Sequence, residues 1–305
     1  MPVDFRYKGL GYVVLNVSDI ERSTAFATDV FGLDLVGEAE DGSRFFRSGS
    51  QHHDIILAPA KSPAFARGAW QLETDADVDK AFAHYQRIGL SPEWLGDSEA
   101  AKLKIEKAFR VVEPVLKTTH EYFSKMTYIS SPRKNRLTKF QGGKHYGLAV
   151  PDCQAVTRYM VENMGFLVSD YLEGGFAALL RAFPNPNHHS FAPLQLPGGG
   201  KTGFHHVAFM VEEIDDIGKF FNRIKKYNAR IQFGIGRHPT SGSIHLYAYD
   251  DDFFVWEYTL GMEQFPETGA REPRRMSSNP EDFDLWGAVP DREFAGRNPR
   301  FLTAE

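Results

Sequence analysis

The 305-residue sequence predicts an α+β protein of two domains, each made of two βαβββ units. Three observations carry that prediction. The chain repeats itself, each copy passes from strand periodicity to helix periodicity and back, and a Gln141-Gly142-Gly143 joint separates the halves. The first domain is placed at residues 1–141 and the second at 142–305, the latter ending in a tail.

The opening unit of each half is read from residues 9–33 (GLGYVVLNVSDIERSTAFATDVFGL) and 142–166 (GGKHYGLAVPDCQAVTRYMVENMGF). Each is an alternating strand, a polar break ending in Asp19 or Asp152, a helix, and a glycine stop. Val156, Tyr159, Met160 and Met164 fall at helical spacing and define one buried stripe. The second unit is read from residues 70–90 and 209–229. There Val78, Ala81, Phe82, Tyr85 and Ile88 match Ile217, Phe220, Phe221 and Ile224, again at i, i+3, i+4, i+7.

The offset between the halves is uneven. Tyr12 matches His145, Arg67 matches His206, and Lys139 is matched with Glu257, which implies about 21 extra residues in the first half. They are assigned to residues 97–123, a helix-prone stretch broken by Pro114. The tail after Gly261, rich in Pro, Arg, Asn and Asp, is read as extended cover anchored at Phe283 to Trp286.

Composition narrows the function. A net charge of −5 gives no basic field for nucleic acid or an anionic membrane. No apolar run approaches the ~18 residues that span a bilayer. The first residues, MPVDFRYKG, lack a signal peptide's apolar stretch, and the single cysteine, Cys153, excludes a disulfide framework. A cytoplasmic protein is expected. Cys153 stands at a helix start, where a thiol pKa can be lowered, and is given no role.

The halves diverge in chemistry where they agree in pattern. Three strand positions of the second half carry His145, His206 and Glu257, against Tyr12, Arg67 and Lys139 in the first. Two imidazoles and a carboxylate can hold a divalent metal; two cations and a phenol cannot. Strand period chooses within His205-His206: His205 shares its face with Val207, Phe209 and Val211, and His206 with Ala208 and Met210. Small neighbours leave room for a site, which selects His206. Glu257 lies inside the apolar run FFVWEYTL, where a carboxylate is costly to bury unless it is paired or binds metal.

The motifs KHYGLAVPD (144–152), NHHSF (187–191), FHHVAF (204–209) and GRHPTSGSIHLYAYDDDFFVWEY (236–258) make the second half resemble the catalytic domain of the type I extradiol (catechol meta-cleaving) dioxygenases of the vicinal oxygen chelate superfamily. The first half resembles that family's metal-free domain. The resemblance implies the glyoxalase-like fold, with the metal in the C-terminal domain. It implies His145, His206 and Glu257 as ligands of iron(II), with manganese(II) as the other possible ion. It also implies His189 as acid–base residue and His238 and Tyr247 as groups over substrate and oxygen. The implied partners are O2 and a catecholic substrate in a homo-oligomeric enzyme of aromatic catabolism. Monocyclic, bicyclic and trihydroxylated rings all stay open.

Two departures stand out. The family's proline and glycine before the glutamate are Asp251 and Phe253 here, and Thr240-Ser241 replace the Asn-Asp of relatives that cleave bicyclic diols. The pair His52-His53 sits at the first half's equivalent of the NHHSF site and is read as a relic of duplication. His84, His120, His188 and His245 are assigned to surface or core. The alternatives are a glyoxalase-like metal-dependent isomerase or transferase, and a metal-free module that binds an aromatic ligand. A zinc hydrolase is set aside because no H-E-x-x-H occurs.

Overall fold

Two nine-stranded sheets dominate the computed structural model, which describes residues 3–196, 202–279, 282–291 and 299–302. The first sheet holds β1 (Tyr7–Val17), β2 (Asp34–Glu38), β3 (Arg44–Arg47), β4 (Ile55–Pro59), β5 (Ala64–Leu72), β6 (Glu93–Trp94), β7 (Ile105–Val112) and β8 (Thr119–Met126). The second holds β9 (Phe140–Ala149), β10 (Phe166–Leu172), β11 (Ala177–Ala182), β12 (Phe191–Leu194), β13 (Gly203–Val211), β14 (Ile231–Arg237), β15 (Ile244–Tyr249), β16 (Val255–Leu260) and β17 (Arg274–Met276). A last short strand, β18 (Arg300–Phe301), returns to the first sheet beside β5. Five α-helices are described: α1 (Ile20–Ala25), α2 (Asp75–Arg87), α3 (Asp97–Lys102), α4 (Cys153–Met164) and α5 (Ile214–Lys226).

The strand orders are β2-β3-β4-β1-β5-β8-β7-β6 and β14-β15-β16-β13-β9-β12-β11-β10-β17. Each sheet is two βαβββ units joined through an antiparallel pair of first strands, β1–β5 or β9–β13. The caps read from the sequence are present. Asp19 accepts from the backbone N–H groups of Glu21 and Arg22, Asp152 accepts from Ala155, and Gly165 ends α4 at φ +74°. The first helix differs, because α1 runs into a π-helical turn over Phe26–Phe31 before Gly32.

One hydrophobic core runs through both halves. Phe31 from the first half packs against Phe140, Phe209, Phe220, Trp256 and Tyr258 of the second. A separate cluster with Tyr12, Phe45, Ile105, Ala108, Phe123 and Met126 fills the other face of the first sheet. The corresponding face of the second sheet carries a smaller cluster of Ala149, Leu196, Phe233, Tyr247, Tyr249 and Val255 beside its buried histidines and Glu257.

The register corrects the alignment of the halves. Ala208 of β13 lies opposite Glu257 of β16, and Ala69 of β5 lies opposite Glu121 of β8. The counterpart of Glu257 is therefore Glu121, not Lys139, whose ammonium forms an exposed pair with Glu213. Residues 97–123 contain no 21-residue insertion; they form α3, β7, the turn at Pro114 and the start of β8. Periodicity missed this because β7 alternates irregularly, with the charged residues Glu106 and Lys107 exposed between buried Ile105 and Ala108, which resembles a helix surface.

A second correction concerns β13. His206 pairs with Gly147 and Phe204 with Leu148, so His205 is the extra residue of a β-bulge. Phe204, rather than His205, shares the core face with Val207 and Phe209. The choice between the two histidines thus rests on the bulge and not on unbroken alternation.

Candidate metal centre

Three adjacent strands aim side chains at one point. His145 stands on β9, His206 on β13 and Glu257 on β16, and all three are at least 95% buried. His145 Nε2 lies 3.0 Å from His206 Nε2 and 3.1 Å from Glu257 Oε2, and His206 Nε2 lies 3.5 Å from that same oxygen. These are the separations of adjacent ligands around an ion with bonds of about 2.1 Å. Gly147 makes the arrangement possible, because a Cβ there would come within 2.7 Å of the His206 ring.

Neither oxygen of Glu257 has a hydrogen-bond partner among the described residues, although the group is 1% exposed. A buried carboxylate in that state is strongly disfavoured unless a cation completes it. The first half shows what completion by protein looks like. Glu121 accepts from the Tyr12 hydroxyl, from Arg67 Nε at 3.0 Å and from Arg110 Nε at 2.7 Å. His145, His206 and Glu257 therefore fit a divalent metal, whereas Tyr12, Arg67 and Glu121 form a closed ion cluster.

The remaining expected residues border the same point. The His189 ring lies 3.9 Å from that of His145. Burial, followed by the neighbouring His145, pushes His189 well below the usual histidine range, so it is neutral. His238, in the loop after β14, places Nε2 2.9 Å from Tyr247 Oη and 4.0 Å from Glu257 Oε1. Burial lowers His238 to about 3. Burial and the carboxylate of Glu257, opposite Tyr247 across β15–β16, raise Tyr247 well above the ordinary phenol. A neutral imidazole and a protonated phenol result.

Two further supports lie outside the residues expected of the site. His188 places Nδ1 3.2 Å from His189 Nδ1 and Nε2 2.8 Å from Asp170 Oδ2. Burial opposes ionisation of Asp170, but hydrogen bonds from Arg274, His188 and Arg271 outweigh it and hold the carboxyl far below its usual range. His245, the other, stacks on His238 with ring centres 3.9 Å apart. The alternation of β15 held a signal for it, since His245 and Tyr247 fall on one face. Of the two places expected for His188 and His245, surface or core, both take the buried one.

The turn before Glu257 departs from the resemblance in a readable way. Phe253 adopts φ +64°, the left-handed region that favours glycine. Asp250 organises the turn, accepting from the N–H groups of Asp252 and Phe254 and from Trp256 Nε1. Burial pushes Asp250 up to about 7. Cys153 reverses the expectation for a helix-start thiol: burial raises it to about 11.

The model of the glyoxalase/bleomycin resistance protein/dioxygenase superfamily matches residues 9–133 and 143–258. The chain is 22% identical to 3-methylcatechol 2,3-dioxygenase of Pseudomonas putida, over 84% of its own length and 90% of that protein. It shares its fold with a halotolerant catechol dioxygenase (TM-score 0.86, 23% identity, 96% and 98% of the two chains). A manganese(II)-bound glyoxalase from Novosphingobium aromaticivorans is 26% identical with a TM-score of 0.84, covering 99% of both chains.

Proposed function

This chain belongs to the glyoxalase/bleomycin resistance protein/dioxygenase superfamily, and from that premise we propose that it is an extradiol dioxygenase opening a catecholic ring beside its vicinal diol with O2. The observation that carries the reading is the unpartnered Glu257 carboxylate between His145 and His206, with His189 and the His238–Tyr247 pair around it.

His145, His206 and Glu257 would hold iron(II), with manganese(II) as the other candidate. Bound iron(II) would supply the accessible electron that dioxygen activation needs and a centre for the diol to chelate. The protein supplies the rest. Neutral His189 can accept a proton from the diol and return it to an oxygen of the product. Tyr247 keeps its proton and, with His238, donates hydrogen bonds to charge developing on oxygen. Burial of His145, His189, His206, Tyr247 and Glu257 excludes water and strengthens their interactions, while His238 stays partly exposed at the rim. The substrate class is a catechol, and ring size is left to experiment.

The reading extends to a cytoplasmic homo-oligomer. No helix of the described residues is long and apolar enough to cross a membrane. The first sheet ends in open edges at β2 and β6 that expose Leu35 and Trp94, which suits a contact with a second copy.

The test is anaerobic loading with iron, then oxygen uptake and absorbance on adding catechol and 2,3-dihydroxybiphenyl. One O2 consumed per diol with a yellow product is expected, and no uptake with iron bound would send the search to trihydroxylated rings. The second reading is a metal-dependent isomerase, favoured by the 26% identity to the manganese glyoxalase. It would convert its substrate without consuming oxygen and would not require His189.

A further inference from the structure

We propose that Asp284, acting through His245, is the positioning residue for His238, so that a segment of the C-terminal tail completes the candidate site. The proposal rests on the functional reading above for what His238 does, and on geometry alone for what holds it. His245 Nε2 lies 2.8 Å from Asp284 Oδ2, and both side chains are essentially excluded from water. The other carboxylate oxygen accepts from the backbone N–H groups of Trp286 and Ala288, at 2.8 and 3.0 Å. The carboxylate is thus immobilised with its free oxygen aimed at His245, which fixes the proton on His245 Nε2.

His245 then lies flat against His238, with centroids 3.9 Å apart and planes 17° from parallel. Phe233 packs against His245 at 4.3 Å, and leaves the ring little freedom to tilt. The same tail segment holds the backbone beside His238. Leu285 N–H donates to the Arg237 carbonyl at 2.9 Å, and the Arg237 guanidinium sits over the Trp286 ring. Gly236 is shaped to this contact. A Cβ there would fall 1.9 Å from Asp284 Oδ2 and 2.8 Å from His245 Nε2.

A tail that served only as a clamp would need no buried carboxylate directed at an imidazole stacked on His238. Burying an ionised group is costly, and burial opposes ionisation of Asp284. The two backbone amides and His245 outweigh that cost. What the arrangement secures is the plane of His238, and with it the 2.9 Å approach of Nε2 to Tyr247 Oη.

The experiment compares wild type with Asp284→Asn, whose side-chain oxygen can still accept from Trp286 and Ala288 while its amide offers His245 no acceptor. Side-chain 15N spectra of the full chain, with zinc as a diamagnetic probe, report the histidine tautomers independently of turnover. His245 is expected to lose its single Nε2–H tautomer, and His238 to shift with it. In the iron-loaded protein, kcat for ring opening should fall about 10- to 100-fold at unchanged iron content and thermal midpoint. Gly236→Ala should reproduce the His245 and His238 shifts with Asp284 intact. Unchanged His238 signals in Asp284→Asn would overturn the positioning role. So would a kcat loss that only tracks lost iron. A wild type that holds iron yet consumes no oxygen with catechol, 2,3-dihydroxybiphenyl or a trihydroxylated ring would instead sink the functional reading, and the spectra would still decide the positioning.

Discussion

Glu121 and Glu257 occupy the same register position of the two sheets, opposite Ala69 and Ala208, yet only Glu121 is neutralised by protein groups. Around Glu121, Tyr12, His53, Arg67 and Arg110 stand where His145, His189, His206 and Tyr247 surround Glu257. Duplication left two equivalent constellations, and two arginines closed one of them.

The closed cluster should contribute stability and nothing to metal binding. Glu121→Ala leaves Arg67 and Arg110 together beside a cavity without their shared anion. Removing one partner of a buried ion pair costs about 3–5 kcal/mol, and the low end applies because both arginines retain some contact with water. The denaturation midpoint should drop accordingly while metal remains at one ion per chain. A loss of metal with unchanged stability would mean that the first half holds the ion.

Gly147 and His206 provide a sharper probe of the second constellation. Gly147 lies on a β-strand with no unusual backbone angle, so Gly147→Ala tests space alone. The added methyl would need the place of the His206 ring or of the Ala192 carbonyl, 3.3 Å away. Metal content should fall at least 10-fold, close to the loss in His206→Ala, while His205→Ala stays near wild type. Metal retention in Gly147→Ala and loss in His205→Ala would hand the ligand role to the bulge residue.

Most of this site was legible because strand chemistry is local. The helix caps at Asp19 and Asp152, the stripes of α2 and α5, and the carboxylate in an apolar run are all patterns over a few residues. What escaped depends on distant register. The pattern matches Lys139 with Glu257 because the short turn at Pro114 and the exposed charges of β7 resemble an inserted helix. Asp170, Arg271 and Arg274 converge from β10 and the tail, and no local spacing brings them together. Asp284 reaches His245 from 39 residues away, in a tail without periodicity.

The Asp170–His188–His189 chain predicts graded effects. His189→Ala should keep metal and slow ring opening by about 10²–10⁴-fold, the usual contribution of an acid–base residue. Asp170→Asn removes the charge that two arginines and His188 share, and should cost about 10-fold in kcat through His189 placement. Steady-state kinetics at saturating catechol, corrected for iron content, measures both. A full rate in His189→Ala would take that residue out of the reaction.

Acid should destabilise the protein through histidines that folding keeps neutral, and His120 isolates the effect away from the metal centre. It is buried, and its Nδ1 accepts from Trp70 Nε1 at 2.9 Å, with Thr118 Oγ1 at 3.5 Å from Nε2. Burial lowers its pKa to about 3, from the ordinary 6.5 that applies in the unfolded chain. Between those values the unfolded chain binds the extra proton, so stability rises with pH. The contribution is complete above pH 6.5 and is lost progressively as pH falls toward 3. At about 1.4 kcal/mol per unit, the loss at pH 5 is ~2 kcal/mol from this one group. Urea midpoints of the metal-free chain at pH 7.5 and pH 5 should therefore differ more in wild type than in His120→Gln, whose side chain does not titrate but can still accept from Trp70. Equal differences in the two proteins would show that His120 takes up its proton without unfolding.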